Sequence, residues 1–123
     1  MARICIDLDG VIAAHRKEGE TYADVAVIPG AVEKLSELKA AGHYLILHTA
    51  RHMKTCAGNV GLVTARIGPI TLDWLKRHGV PYDEIHFGKP WAHYYIDDNA
   101  VRFASWDQAA EDITAHAYSG QKE

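Results

Sequence analysis

Four short runs of β-branched and bulky apolar residues, separated by stretches with helical periodicity, set what this chain can fold into. Arg3 to Leu8 and Tyr44 to His48 read as buried strands, and Ile85–Phe87 and Tyr94–Ile96 are shorter candidates of the same kind. Between the first two, Pro29-Gly30 precedes Ala31 to Ala41, where Val32, Leu35 and Leu38 recur at three-residue steps and Gly42 supplies a stop. Ile67, Ile70, Thr71, Trp74 and Leu75 trace a second helical stripe, with Gly68-Pro69 implying a kink or a late start. A last helix is expected over Ser105 to His116. Strands alternating with helices predict an α/β fold, a parallel sheet with helices on both faces. Ligands of such sheets bind beyond the carboxyl ends of the strands.

The 123 residues are expected to form one domain, 1–123, too short for a catalytic domain with a separate substrate domain. Apolar residues make up 48% and charged residues 24%, which sets aside disordered, collagen-like and coiled-coil classes. A net charge of −3 disfavours long nucleic acid as a partner, because no basic footprint is present. No apolar run approaches the ~20 residues that span a bilayer, so no membrane association is expected and a cytoplasmic location is inferred. Cys5 and Cys56 are too few and too distant for a zinc site or a disulfide framework. Cys5, within an apolar run, is expected in the core.

The strand ends carry the chemistry. Asp7-Leu8-Asp9-Gly10 closes the first run, Thr49-Ala50-Arg51 follows the second, Gly88-Lys89-Pro90 follows the third and Asp97-Asp98-Asn99 follows the fourth. Residues two apart on a strand share a side, so Asp7 and Asp9 would be neighbours if the chain stays extended. Four carboxylates converging on one edge repel unless a cation and Lys89 offset them, and a hard divalent ion suits oxygen ligands.

On these residues the chain resembles the haloacid dehalogenase superfamily of phosphotransferases, over Ile4 to about Phe103. Asp7-Leu8-Asp9-Gly10 looks like its first motif, Thr49 after Leu45-Ile46-Leu47-His48 its second, Lys89 its third and Asp97-Asp98 its fourth. Val11 departs from the Thr more often found after the glycine. Thr49-Ala50-Arg51-His52, together with Pro81 to Ile85, also resembles small members associated with capsule or surface-polysaccharide biosynthesis. The resemblance implies a three-layer, Rossmann-like sheet and a phosphoaspartyl mechanism. Asp7 would be the nucleophile, Asp9 the general acid and base, and Thr49 and Lys89 the groups that bind the phosphoryl oxygens and balance charge. Magnesium would be held by Asp7, Asp9, Asp97 and Asp98. Neither the Asp7 to Thr49 interval nor that from Thr49 to Lys89 has room for an inserted cap domain. A site without a cap is open unless Arg16 to Asp24, Arg51 to Gly61 or a second copy in a homo-oligomer covers it.

Ala50, Arg51 and His52 are the candidates for substrate recognition, with Arg51 suited to a second anionic group. Tyr22 and His15 follow the first motif and are placed near the site. His43, His78 and His116 sit near helix ends and read as structural, as do Trp74, Trp106, Phe87 and Phe103 as core. Three functions follow from these readings. The first is a magnesium-dependent phosphatase of a small phosphorylated metabolite, with a sugar phosphate of capsule or polysaccharide assembly preferred. The second is a phosphatase of polynucleotide ends, and the third a silent relative acting as a binding or assembly subunit.

Overall fold

A computed structural model of the chain describes residues 1–115. The chain forms β1 (Arg3–Asp7), α1 (Ala31–Ala40), β2 (Tyr44–Thr49), α2 (Val60–Arg77), β3 (Glu84–Phe87) and α3 (Trp106–Ala115) in that order. The three strands make one parallel sheet in the order β1-β2-β3. Asp7 is the register partner of His48, and Thr49 that of Phe87, so all three strands end near one edge. The result is a small α/β domain with three helices, as the alternation of patterns predicts.

Each element follows from local chemistry. In β2 the side chains of Leu45, Leu47 and Thr49 are buried while those between them are half-buried, the period of two expected of a strand. In α1, Ala31, Leu35 and Leu38 form the buried stripe. They join Ile6, Leu8, Leu45, Leu47, Trp74, Leu75 and Trp106 in the main core. Trp74 has no exposed surface, and its indole nitrogen donates to the Val25 carbonyl at 2.9 Å, which spares a buried donor. A smaller cluster of Cys56, Val63 and Ile67 packs with Tyr22, Met53 and Phe87. It joins the first half of α2 to the loop after β2.

The second helix begins at Val60, well before the apolar stripe noted in the sequence. Asn59 is the reason. Its side-chain oxygen accepts from the Leu62 amide at 3.0 Å and satisfies one of the unpaired donors of the first turn. Pro69 removes one donor from the ladder without ending the helix.

Two expectations fail together. Tyr94–Ile96 forms no strand, and every residue from 91 to 102 is exposed, Ile96 completely. β1 is consequently an edge strand, and Cys5 is exposed rather than part of the core. The segment lies opposite that edge across a cavity of about 530 Å³, with Tyr95, Asp97, Asn99 and Val101 on one wall and Ile4, Cys5 and Ile6 on the other. A run of three residues has too little burial of its own to form a strand without a paired neighbour. His116, the expected end of the last helix, lies outside the described residues. No described helix is long and apolar enough to cross a membrane.

Candidate functional site

The chain does not stay extended after β1. The Leu8 amide continues the ladder to the His48 carbonyl at 3.0 Å, after which the Leu8 carbonyl accepts from the amides of Ile12 and Ala13, both at 2.9 Å. Gly10 takes φ +87°, and a Cβ there would lie 2.5 Å from the His15 ring, so this position requires glycine on both counts. Asp7 and Asp9 both reach the same cavity of about 390 Å³, shared with Lys89 and the loop after β2.

The two carboxylates have opposite surroundings. Asp9 is held on three sides. Arg51 Nε donates to its Oδ1 at 2.9 Å and to its Oδ2 at 3.2 Å, and Thr49 Oγ1 donates to Oδ2 at 3.0 Å. The Arg51 amide in turn donates to Thr49 Oγ1 at 3.0 Å. Asp7 faces only Lys89, whose Nζ lies 3.5 Å from Oδ1. Burial pushes the Asp7 carboxyl above the ordinary carboxylate value, against the pull of the Lys89 ammonium and of His48. Burial, reinforced by Lys89, lowers the His48 imidazole, its register partner.

Lys89 is placed by its backbone. Its amide donates to the Thr49 carbonyl at 3.1 Å, just beyond the β2–β3 ladder. The preceding Gly88 has φ +101°, and a Cβ there would meet Val60 at 2.9 Å. The Lys89 ammonium also lies 4.1 Å from the centre of the Tyr95 ring.

Arg51 is the largest departure from the sequence reading. Its side chain has no exposed surface, and its guanidinium is committed to Asp9 through Nε and to Thr71 Oγ1 through Nη1 at 3.1 Å. Tyr22 covers it, ring centre 4.3 Å from Cζ. Arg51 is therefore a buried clamp on Asp9, not the exposed contact for a second anion that its loop position suggested. Thr49 is likewise fully buried, because strand parity turns it to the side of Leu45 and Leu47, and its hydroxyl hydrogen goes to Asp9 instead of into the open cavity.

His52 and Ala50 do line the cavity. His52 is held at φ +60°, a left-handed conformation that costs a residue with a Cβ roughly 1 kcal/mol or more. Its Nδ1 and Arg51 Nη2 are both buried and accept or donate no hydrogen bond. Tyr22 and His15 line the same cavity, as expected. Arg16 and Lys54, from the two segments expected to cover the site, line it as well, and so does Trp91, which its sequence context did not mark out. His43 is structural, its Nδ1 accepting from the Ala2 amide at 3.0 Å.

The four carboxylates expected to hold magnesium are not gathered into one cluster: Asp7 shares the smaller cavity with Asp9 and the larger one with Asp97. Asp7 and Asp9 stand at the sheet edge, whereas Asp97 and Asp98 belong to the exposed segment beyond β3, where Asp97 Oδ1 accepts from the Asn99 amide at 3.1 Å. Among the described residues no three His, Cys, Asp or Glu side chains are grouped to hold a metal ion. The donor set thus does not fit the ion in this arrangement, because the strand that would carry Asp97 beside Asp7 is not formed.

No family model and no curated protein matches the chain. Among solved structures it is similar to the crystal structure of an MCSG target from Vibrio cholerae, with a TM-score of 0.78 and 37% identity over 89% of this chain and 88% of that one. At that identity and coverage the likeness reaches beyond the shared fold. The chain belongs to the same family as this Vibrio cholerae protein.

Proposed function

We propose that the chain is a phosphomonoesterase of the haloacid dehalogenase type, acting on a small phosphorylated metabolite, with a sugar phosphate of capsule or polysaccharide assembly preferred. The observation that carries this reading is the pair at the mouth of the sheet: Asp7 at the end of β1, unencumbered except for Lys89 at 3.5 Å, in one cavity with a rigidly held Asp9. On this reading the domain is a three-layer, Rossmann-like core without a cap, and the loops after β1 and β2 do what a cap does elsewhere.

The steps balance with the chain's own groups. One Asp7 carboxylate oxygen attacks phosphorus as the ester P–O bond breaks, giving an acyl phosphate on Asp7 and an alkoxide that takes the proton of Asp9, which enters this step as the carboxylic acid and leaves it as the carboxylate clamped by Arg51. Water then attacks the acyl phosphate and gives its proton to Asp9, which releases inorganic phosphate and restores Asp7. Lys89 offsets the negative charge that gathers when a carboxylate meets a phosphate. Arg51 and Thr49 fix the direction of the Asp9 carboxylate, so little ordering remains for the transition state. No step is routed through magnesium, which the resemblance implies, because no three metal-ligating side chains are grouped among the described residues.

Phosphate release from an aryl phosphate and from a panel of sugar phosphates, nucleotides and 3′-phosphorylated oligonucleotides tests the reading. Addition of EDTA reports on the magnesium requirement. Asp7→Asn is expected to lower turnover at least about a thousandfold, since no covalent route remains, with the far-ultraviolet spectrum of the wild type retained. Turnover near wild type in that variant sinks the mechanism.

A further inference from the structure

The cavity at the sheet mouth holds more cationic groups than its two carboxylates use. Four cations line it, Arg16, Arg51, Lys54 and Lys89, against Asp7 and Asp9, on a chain whose net charge is −3. Arg51 is spent on Asp9 and Lys89 on Asp7. Arg16 and Lys54 are left over: neither forms an ion pair with any described carboxylate. Both are exposed, and each is held by an aromatic ring of the same cavity. The Arg16 guanidinium lies 5.4 Å from the centre of Tyr22 and donates to the Glu20 carbonyl at 3.1 Å, and the Lys54 ammonium lies 4.9 Å from the centre of Trp91. Trp91 is half exposed, so an apolar face stands open beside these charges.

We infer that the outer wall formed by Arg16, Tyr22, Lys54 and Trp91 is a subsite for a second phosphoryl group carried by a ring-bearing phosphate ester. This rests on the phosphatase reading of Asp7 and names its substrate class. The inner anion meets Asp7 and Lys89, and the outer anion meets the two cations that have no carboxylate partner. An arginine fork and a lysine point charge together match the several acceptor oxygens of a phosphate dianion. The exposed ring of Trp91 offers the apolar surface on which the connecting sugar or base rests. His52 lies beside the same wall, its ring centre 5.9 Å from that of Tyr22. The role expected of Arg51 from sequence thus falls to two residues that the chain separates by a strand and a helix.

The test compares fructose 1,6-bisphosphate with fructose 6-phosphate. In turnover, Arg16→Ala and Lys54→Ala are each expected to lower the bisphosphate-to-monophosphate ratio of kcat/KM about tenfold, the loss typical of one charge-assisted contact. In calorimetric titration, Asp7→Asn is expected to bind the bisphosphate more tightly than the monophosphate, and the preference is expected to vanish in Asp7→Asn/Lys54→Ala. Equal affinity for the two sugars, or a preference untouched by both wall variants, overturns the subsite. A binding preference without any hydrolysis by the wild type keeps the subsite and removes the phosphatase reading. Hydrolysis without a preference does the reverse. Both wall residues are exposed, so a failure of these variants to fold is not expected.

Discussion

The two halves of the sheet mouth are built on opposite principles. On the β2 side Thr49, Arg51, Asp9 and Thr71 form a connected set of hydrogen bonds, capped by Tyr22 and backed by the Ile67 carbonyl that accepts from Thr71, with Arg51 Nη2 and His52 Nδ1 left unpaired. On the β1 side the strand has a free edge, the segment opposite it is exposed throughout, and Asp7 meets one ammonium at the outer limit of hydrogen bonding. The difference teaches how a site is kept rigid where geometry matters and open where a ligand enters. The buried Arg51 side chain holds Asp9 from the protein side. The open half leaves Asp7 available for attack.

Removing the clamp has the largest expected effect on stability. Arg51→Ala strips the counter-charge from Asp9 and leaves Thr71 with one partner fewer, at a cost of about 2–3 kcal/mol, less than for a fully buried pair because Asp9 is 21% exposed. Urea unfolding measures it, and a loss under about 1 kcal/mol would mean that the pair is as loose as a surface ion pair.

Asp83 offers a smaller contrast far from the site. Its carboxyl is held below the ordinary value, first by the hydrogen bond from Lys39 and then by the Leu45 amide. A depressed folded pKa gives stability that is present above the unfolded value of about 3.9 and is lost as pH falls through the folded one. Asp83→Asn should therefore melt below the wild type at pH 7, and the gap should close as pH falls below about 4. A gap that persists at pH 2 would mean that the charge is not its source.

The open half predicts the least change. Ile96→Ser removes an isoleucine that touches solvent on all sides, and its unfolding free energy should stay within about 0.5 kcal/mol of wild type. A loss above about 1.5 kcal/mol would show that the segment is packed in solution, and the comparison of halves would break there.

Reading from sequence reached the elements whose burial is local and periodic. β1, β2, β3 and α1 each carry an apolar pattern that a single element explains, and the ends of α1 agree to within a residue. The start of α2 was hidden because Gly61, Gly68 and Pro69 dilute its pattern, and the only local signal was Asn59 as a cap. Tyr94–Ile96 failed as a strand for a different reason: pairing is a long-range property, and its apolar residues say nothing about whether an edge is within reach. Asp7, Asp9 and Lys89 were legible because they stand at strand ends. The partner of Arg51 was not, since it lies 42 residues away and loop charges look alike until burial selects among them. Arg16 and Lys54 fell within segments expected to cover the site, but their individual roles were hidden for the same reason.

The free edge of β1 makes tether length a property of this fold. An unpaired row of backbone donors and acceptors can pair with an extended chain, and one nearby is its own, anchored at Lys89 by its amide's hydrogen bond to the Thr49 carbonyl and at Trp106 by its indole's hydrogen bond to the Val11 carbonyl. A segment held at both ends samples that edge at an effective concentration on the order of millimolar. Strands from other molecules at micromolar concentration compete with it at a disadvantage of about a thousandfold. The loop from 90 to 105 therefore guards the edge without pairing with it as a strand, and its length, more than its sequence, sets how well.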